Sequence, residues 1–481
     1  MVSSTEVSAS WLREASTLGR DAAAAYLADA HSERAVYRLS RAHAAGYPDQ
    51  SLLVTADSER ADLAILPAVT GVVLPTPVAR RLRDIGPLLH SAVTACADLV
   101  PADDRARRFV SVGEKAEAIG LSARVRDTAS IADWVRVDYV LADRGGVPTP
   151  VIVDINLMPG MTHTTAAVAA LHRRHLLPAA PQLREQIESL HHYDIAPVDR
   201  MRETYAAAAG TDRVHFVVRR SHGLEPDVRS AAASLTQRGR VRGVVVYADD
   251  MSAINPARPS VVVRQARTTT KHLDPSVGEA ERAALTDMLE QAAAGTLHCY
   301  PGPHIYMESH AWPHFMARDP YQAHLRRTLG EQDYALLLNA LAPTAIIEDG
   351  ALRWPDGTTE PITADALTRC VIKRGSSTGS EGVEVLAGNR GRRAYRQRAA
   401  HALAARAEPG WVVQRYIDSP KQTHVVLDST GSTRTVTGYV RYGAYFAAGE
   451  YIGGYALLSA ESRMVHGGSA THWLTIAEAT E

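Results

Sequence analysis

Apolar and polar residues alternate along the chain in two rhythms, which predict a protein of mixed helices and strands. An Ala-rich amphipathic pattern up to about residue 50, with apolar positions near Trp11, Leu18 and Tyr26, predicts a helix. The short apolar runs 51–55 and 63–67 predict strands. Further helical patterns cover roughly 80–100, 114–121 and 162–210.

Two strand patterns lie in the middle of this first part of the chain. They cover 134–142 and 149–156 and flank the turn sequence Asp143-Arg-Gly-Gly146. Strand-like runs on either side of a glycine-containing turn are typical of an antiparallel hairpin. We therefore predict a hairpin between residues 134 and 156.

The second half begins with a different pattern near Arg213. Valine-rich runs at 214–220, 241–247 and 260–264 predict buried strands, and a helical pattern at 226–238 separates the first two. Strands that alternate with helices favour a parallel sheet. Beyond them, strands are expected at 345–349, at 370–373 and through most of 411–473, and helices near 277–294, 320–341 and 391–407.

Composition limits the class of protein. A chain of 481 residues is too long for one ordinary core, so two or three subdomains are expected. A net charge of -1 gives no excess of basic residues that would favour binding to nucleic acid. No apolar run approaches the length needed to cross a bilayer. No signal peptide is expected. The three cysteines are odd in number and lack CxxC spacing, which fits a reducing cytoplasm and argues against a thiolate zinc site.

The first chemical candidate is a lysine beside a glycine-rich loop. The strand 370–373 ends at Lys373 and runs into Gly-Ser-Ser-Thr-Gly-Ser-Glu-Gly, residues 375–382. Small residues allow backbone N–H groups to converge on an anion, and Ser376, Ser377, Thr378 and Gly379 would add hydroxyl donors and flexibility. The spacing is not that of a Walker A loop. The alternative is a flexible hairpin turn with a solvated lysine.

The second candidate is a set of oxygen donors on the predicted hairpin. Asp154 and Asn156 are two residues apart and so share one face, and Asp138 joins them if the hairpin pairs in the obvious register. Such a set suits Mg²⁺ or Mn²⁺ better than Zn²⁺. Arg136 shares the face of Asp138 and could reach a phosphate. The alternative is a surface hairpin with capping acids.

These two stretches together resemble the ATP-grasp ligases. The run Arg-Val-Asp, 136–138, followed by Asp-Ile-Asn-Leu-Met-Pro-Gly-Met-Thr, 154–162, is similar to the metal motif of D-alanine–D-alanine ligases, with Asp154 in place of the commoner glutamate. The lysine loop normally precedes the metal strands but here follows them, so the resemblance is to the circularly permuted branch. It implies that Lys373 and the loop contact ATP and that Asp138, Asp154 and Asn156 hold Mg²⁺.

The resemblance also implies a strand that passes the adenine. Residues 410–418 occupy that place, and Gln414, Arg415 and Tyr416 are the candidate contacts, although glutamine replaces the usual acid. An ordinary core strand is the alternative. Arg441, on a strand before the glycines at 453–454, is a candidate phosphate or acylphosphate contact.

Arginines that follow strands of the predicted parallel sheet are candidates for holding a substrate carboxylate. The candidates are Arg219, Arg220 and Arg264, together with Ser221, which directly follows Arg220. Structural salt bridges are the alternative. The group His304, Glu308, His310 and His314 invites a zinc interpretation, but Pro303 and Pro313 interrupt any aligning helix, so packing or loop hydrogen bonds are favoured.

The sequence thus predicts an α/β protein with ATP-grasp architecture in permuted order, mixed parallel and antiparallel sheets and an additional helical N-terminal region. The expected domains are 1–133, the N-terminal region; 134–212, the metal hairpin and helices; 213–350, a substrate subdomain; and 351–481, the lysine loop and adenine strand.

By this resemblance the protein is an ATP- and Mg²⁺-dependent carboxylate–amine ligase that works through an acylphosphate. Arg136, Lys373 and Arg441 are the expected catalytic residues. The substrates are expected to be amino acids joined into a dipeptide in specialised metabolism such as antibiotic biosynthesis, with a γ-glutamyl donor or a polyamine acceptor as variants. A cytoplasmic protein without nucleic-acid or membrane partners is expected, and a homodimer is left open. A phosphotransferase and a non-catalytic nucleotide-binding protein are the alternatives.

Overall fold

The computed structural model describes most of the chain from residue 64 onward. The described residues are 37–38, 64–110, 116–125, 129–176, 191–219, 224–255, 258–264, 279–302, 304, 309–375, 383–387, 393–404, 410–427, 432–460, 463, 465 and 471–478. Several predicted features lie outside them, namely the N-terminal helix, the strand at 51–55, the loop residues Ser376, Ser377, Thr378 and Gly379, and the pair Arg220 and Ser221.

A ten-stranded, mainly antiparallel sheet forms the centre of the protein. Its strands are β1 (Tyr37–Arg38), β2 (Ala64–Pro67), β3 (Val72–Leu74), β4 (Trp134–Arg144), β5 (Val147–Asn156), β6 (His191–His192), β17 (Gln422–Leu427), β18 (Thr433–Ala447), β19 (Glu450–Ser459) and β20 (Thr471–Glu478). The order is β1-β2-β20-β19-β18-β4-β5, with β17 on β18 and with β3 and β6 on β20. The hairpin β4–β5 is confirmed and is longer than predicted.

Pairing in this sheet joins distant parts of the sequence. The hairpin strand β4 lies beside β18, with Asp138 opposite Gly443 and Arg136 opposite Tyr445. Residues from the first third of the chain and from its last fifty therefore complete one sheet. The predicted domain boundaries at 133, 212 and 350 remain predictions.

A long helix, α1 (Thr76–Leu99), packs against the ten-stranded sheet. Gly86 allows this packing, because a Cβ there would lie 2.2 Å from the carbonyl oxygen of Gly449 in the β18–β19 turn. By length and apolar composition alone the segment Thr76–Ala102, which contains α1, could cross a membrane, contrary to the expectation from the sequence. Core helices pass the same test, and ten residues of α1 are buried within the protein.

A separate four-stranded sheet is wholly parallel, as the alternating strands and helices predicted. Its strands are β7 (Arg213–Val218), β8 (Arg242–Tyr247), β9 (Ser260–Arg264) and β10 (Leu297–Tyr300), in the order β10-β9-β7-β8. The predicted helices that precede β8 and β10 are present as α6 (Glu225–Gln237) and α7 (Glu279–Ala294). The strand β10 was not predicted.

The third sheet has six antiparallel strands and carries the predicted lysine. They are β11 (Thr344–Glu348), β12 (Ala351–Arg353), β13 (Thr359–Pro361), β14 (Cys370–Arg374), β15 (Val383–Val385) and β16 (Trp411–Arg415), in the order β13-β12-β11-β16-β14-β15. One face, with Ile372 and Val413, packs on helix α11 (Arg393–Ala404). Val412 and Ile346 on the other face belong to the core of the ten-stranded sheet.

The remaining helices connect these sheets. They are α2 (Asp104–Val110), α3 (Ala116–Arg124), α4 (Thr162–Leu171), α5 (Ala196–Ala208), α8 (Trp312–Met316), α9 (Tyr321–Leu329) and α10 (Glu331–Ala340). The single helix expected at 320–341 is two helices. Gly330, with a φ of 83°, ends the first and precedes the second, a conformation that glycine adopts without strain.

Candidate functional site

The polar residues predicted on the hairpin do lie on one face of the ten-stranded sheet. Asp138 is the cross-strand partner of Asp154, and Arg136 is the partner of Asn156. Val153 has no partner in β4, because the register shifts by one residue just beyond Asp138. Such a bulge turns the backbone locally and leaves its groups to bond elsewhere.

Two arginines hold the carboxylate of Asp138. The Nε of Arg136 lies 3.0 Å from its Oδ1, and the Nη1 of Arg441, on the neighbouring strand β18, lies 2.7 Å from its Oδ2. Asp138 is only 2% exposed. Burial works to lower the pKa of Arg136, but Asp138 together with Tyr455 and other neighbours holds that pKa well above its ordinary value. Arg136 therefore remains charged.

Asp154 is held by a histidine that arrives from a different part of the chain. The Nδ1 of His310 lies 2.8 Å from Oδ1 of Asp154, while the amide of Asn156 lies 3.5 Å from Oδ2. Burial works to raise the pKa of Asp154, but the charges of His310, Lys373 and Arg136 outweigh it and hold that pKa below its ordinary value. The carboxylate is therefore ionised at neutral pH.

The predicted lysine reaches this face from the six-stranded sheet. Lys373, near the end of β14, is 6% exposed, and its Nζ donates to the bulged carbonyl of Val153 at 2.5 Å. Burial lowers the pKa of Lys373, while Asp154 and Asp138 oppose that effect. Gly375, two residues on, lies so close to Phe109 that a Cβ would be 2.4 Å from its ring. The lysine thus joins two sheets at one point.

Charge in this cluster is unbalanced in favour of cations. The cluster contains two carboxylates, those of Asp138 and Asp154. Even without His310 it contains three cationic side chains, those of Arg136, Arg441 and Lys373. Buried cations that converge on one point favour an anionic ligand. Phosphate groups are anions that such arginines and a lysine bind well.

The hairpin carries oxygen donors of the kind that Mg²⁺ prefers. Within the described residues no group of three or more His, Cys, Asp and Glu side chains could hold a metal ion. The predicted set, however, uses an amide beside two carboxylates, and these hard oxygen donors lie on adjacent positions of one face. Mg²⁺ commonly takes one or two carboxylates and completes its shell with phosphate oxygens and water. The residues therefore fit a magnesium–phosphate site.

Of the residues predicted to pass the adenine, Gln414 lies on the same face of the six-stranded sheet as Lys373 and Arg415 on the opposite face, and all three have other contacts. Gln414 is 2% exposed and donates from Nε2 to Oγ1 of Thr344 at 3.0 Å. The backbone N–H groups of Arg415 and Tyr416 donate to Pro343 and Arg369 at 2.9 and 2.7 Å. The Arg415 guanidinium lies over the ring of Trp354.

The predicted substrate arginines that the structure describes belong to the four-stranded sheet. Arg264 ends β9 and is buried, with Nη2 donating to the carbonyl of Gly302 at 3.4 Å. Arg219 directly follows β7, the neighbour of β9. Both therefore lie at the carboxyl edge of a parallel sheet, where ligands commonly bind.

His310 is a residue of the cluster for which the sequence predicts no function. The pattern of His304, Glu308, His310 and His314 favours packing or loop hydrogen bonds over a zinc site. His314 instead donates from Nδ1 to the carbonyl of Thr344 at 3.2 Å, and Glu308 lies outside the described residues. No local pattern in the sequence links His310 to Asp154, which lies 156 positions earlier.

Comparison with solved structures supplies a fold. The sequence matches no protein-family model and no curated protein. A glutathione synthetase-like effector (GSS30) from Globodera pallida, in its apo form, aligns over 96% of both chains with a TM-score of 0.55 and 12% identity. The two chains share a fold. It is a mixed α/β fold.

A second solved structure is more distant. It is described as a candidate gamma-glutamylcysteine synthetase from Methylobacillus flagellatus KT and aligns over 82% of this chain and 88% of its own, with 12% identity and a TM-score of 0.38.

Proposed function

We propose that this protein is an ATP- and Mg²⁺-dependent carboxylate–amine ligase that forms an amide bond through an acylphosphate. The observation that carries the proposal is the convergence of Asp138, Asp154, Asn156, Arg136, Arg441 and Lys373 from two sheets. A surplus of buried cations beside paired carboxylates matches the needs of a polyphosphate with its metal. The fold shared with a glutathione synthetase-like protein supports the same class of reaction.

The chain's residues would catalyse the reaction by neutralising and aligning charge. Asp138, Asp154 and Asn156 would hold Mg²⁺, which would supply positive charge for the phosphate oxygens. Arg136 and Arg441 would leave Asp138 for the transferred phosphoryl group, and Lys373 would contact a neighbouring phosphate oxygen. In the overall reaction the substrate carboxylate oxygen takes the γ-phosphoryl group, ADP leaves, and an amine nitrogen then displaces phosphate with loss of a proton. No protein nucleophile is required.

We further propose the circularly permuted arrangement of the ATP-grasp fold. The metal hairpin β4–β5 precedes the lysine strand β14, and the last strands of the chain, β18 to β20, complete the sheet that contains the hairpin. This order, with the resemblance of 154–162 to the D-alanine ligase motif, supports the permutation. The loop residues Ser376, Ser377, Thr378 and Gly379, and the backbone of the strand with Gln414, Arg415 and Tyr416, are proposed to contact ATP.

The proposed substrates are two amino acids or a small peptide and an amine. Arg264 and Arg219 at the carboxyl edge of the four-stranded sheet, with Arg220 and Ser221, are proposed to bind a substrate carboxylate. A γ-glutamyl donor is the favoured variant, because the structural neighbour is glutathione synthetase-like. A cytoplasmic location, a dipeptide product of specialised metabolism and a homodimer remain part of the proposal, which includes no nucleic-acid or membrane partner.

The experiment is ADP release with Mg-ATP across amino acids supplied singly and in pairs, with mass spectrometry of the products. ADP that requires a pair, together with a product of both masses minus water, would support the ligase. A phosphorylated single substrate would replace it with a phosphotransferase. ATP binding without ADP release under any pairing would favour a nucleotide-binding protein and overturn the proposal.

A further inference from the structure

His310 contacts both halves of the charged cluster at once. Its side chain bonds to Asp154 on the metal hairpin, with 2.8 Å between Nδ1 and Oδ1. Its backbone N–H donates to the carbonyl of Gly375 at 2.9 Å, two residues beyond Lys373. One residue therefore connects the hairpin of the ten-stranded sheet with the lysine strand of the six-stranded sheet.

The surroundings of His310 hold it in place. The backbone N–H of Ala311 donates to the hydroxyl of Ser309 at 3.2 Å just before helix α8 begins. Phe315 of that helix packs edge-on against Phe109, with 6.0 Å between ring centroids. Phe109 is also the ring against which Gly375 lies. The contacts thus form a closed circuit from His310 through Gly375 and Phe109 back to α8.

The hydrogen bond to Asp154 has a defined direction. An ionised carboxylate only accepts, so Nδ1 of His310 must carry the proton and donate. This bond fixes Oδ1 and leaves Oδ2 on the side of the Asn156 amide. A carboxylate that binds a metal depends on such partners for its orientation, and their loss typically weakens metal binding about 10- to 100-fold.

We propose that His310 is a positioning residue that orients Asp154 for the metal and ties that carboxylate to the base of the lysine loop. The inference rests on the proposed function, since it requires a metal–nucleotide site at Asp154. His310 itself touches neither metal nor substrate in this role. It acts through Asp154 by its side chain and through Gly375 by its backbone.

The test compares His310→Ala, His310→Gln and His310→Asn. Asparagine places an N–H donor near the position of Nδ1, whereas glutamine places it further out and alanine has none. Mn²⁺ binding to the full chain is measured by electron paramagnetic resonance in the presence of ADP. His298→Ala is the matched control, because that histidine is exposed on β10 of the four-stranded sheet.

We expect the dissociation constant for Mn²⁺ to be at least about tenfold higher for the alanine variant than for the wild type. The asparagine variant should recover most of the lost affinity. Unfolding midpoints of all variants are measured alongside, because a merely structural role would change them without separating asparagine from glutamine. The His298→Ala protein should match the wild type in both measurements.

Two results would overturn the inference while leaving the proposed function standing. One is an alanine variant that binds Mn²⁺ as tightly as the wild type; the other is an asparagine variant as weak as alanine. A wild-type protein that binds neither ADP nor Mn²⁺ with ADP would instead overturn the proposed function, and the role of His310 with it.

Discussion

The metal hairpin and the strand β16 carry predicted site residues, yet they differ in what those residues contact. On the hairpin, Asp138 and Asp154 face each other and lie beside Arg441, Lys373 and His310, which come from three other parts of the chain. On β16, Gln414 lies on the same sheet face as Lys373 but bonds to Thr344 within its own sheet. The alternation of side chains along a strand therefore predicts which face of the sheet a residue occupies. The residue that it contacts on that face depends on how the sheets pack.

The same comparison separates two kinds of burial. The hairpin keeps the carboxylate of Asp138 buried by pairing it with Arg136 and Arg441, and such pairs are costly to break. The strand β16 keeps the neutral side chain of Gln414 buried through a hydrogen bond to Thr344, which contributes less. Substitutions should therefore have larger effects at the hairpin cluster than around β16.

The largest expected effect is that of Lys373→Met on catalysis. Removing the cation should lower the rate of ADP release about 1000-fold, equivalent to about 4 kcal/mol of transition-state stabilisation. The free energy of unfolding should change little, because the lost bond to Val153 and the relieved burial of the ammonium act in opposite directions. The matched control is Lys421→Met at an exposed lysine. Equal rates for both variants would contradict the role of Lys373.

The next effect is that of Asp138→Asn on stability. The substitution leaves Arg136 and Arg441 without their carboxylate, and we expect the free energy of unfolding to fall by about 3 kcal/mol in urea denaturation. Asp212→Asn is the control, because it breaks an exposed pair with Arg213 that should contribute under about 0.5 kcal/mol. Similar losses for the two variants would mean that burial does not distinguish the hairpin pair.

A smaller effect concerns pH and the histidine packed beneath β11. Burial lowers the pKa of His314 to about 3 in the folded protein. In the unfolded chain this histidine binds a proton near pH 6.5, whereas in the folded chain it stays neutral until the pH approaches 3. Stability should therefore fall as the pH drops from 6.5 towards 3, at up to about 1.4 kcal/mol per pH unit for this group.

The measurement for His314 is urea denaturation of the wild type and of His314→Asn between pH 6 and pH 5. The asparagine can still donate to the carbonyl of Thr344 but does not titrate, so its stability should fall less steeply. The buried His424 and His472, whose pKa values burial lowers to about 4, are present in both proteins and cancel in the difference. Parallel slopes would show that His314 is not buried as a neutral group.

The smallest effect is expected at Gln414. Gln414→Leu removes the hydrogen bond to Thr344 and should cost about 1 kcal/mol of stability, with ATP affinity changed less than about threefold. Thr344→Val is the matched partner variant, and the double variant should cost less than the sum of the two. A large loss of ATP affinity in Gln414→Leu alone would show that its side chain contacts the nucleotide, and β16 would then resemble the hairpin.

The sequence by itself determined the local elements. The turn at Asp143-Arg-Gly-Gly146 and the period-two pattern beside it sufficed for the hairpin, but not for the register shift that sets Asp138 opposite Asp154. The valine-rich strands with α6 between them sufficed for the parallel sheet. These features depend on residues close in sequence, where backbone geometry decides which side chains share a face.

Only the tertiary structure decided the contacts between sheets. Arg441 meets Asp138 across 303 positions, Lys373 meets Val153 across 220, and His310 meets Asp154 across 156. No periodicity reports how two sheets pack, because packing is set by the shapes of whole cores rather than by neighbouring residues. For that reason Lys373 and Arg441 could be named as candidates from sequence, while their partners, and the role proposed for His310, required the fold.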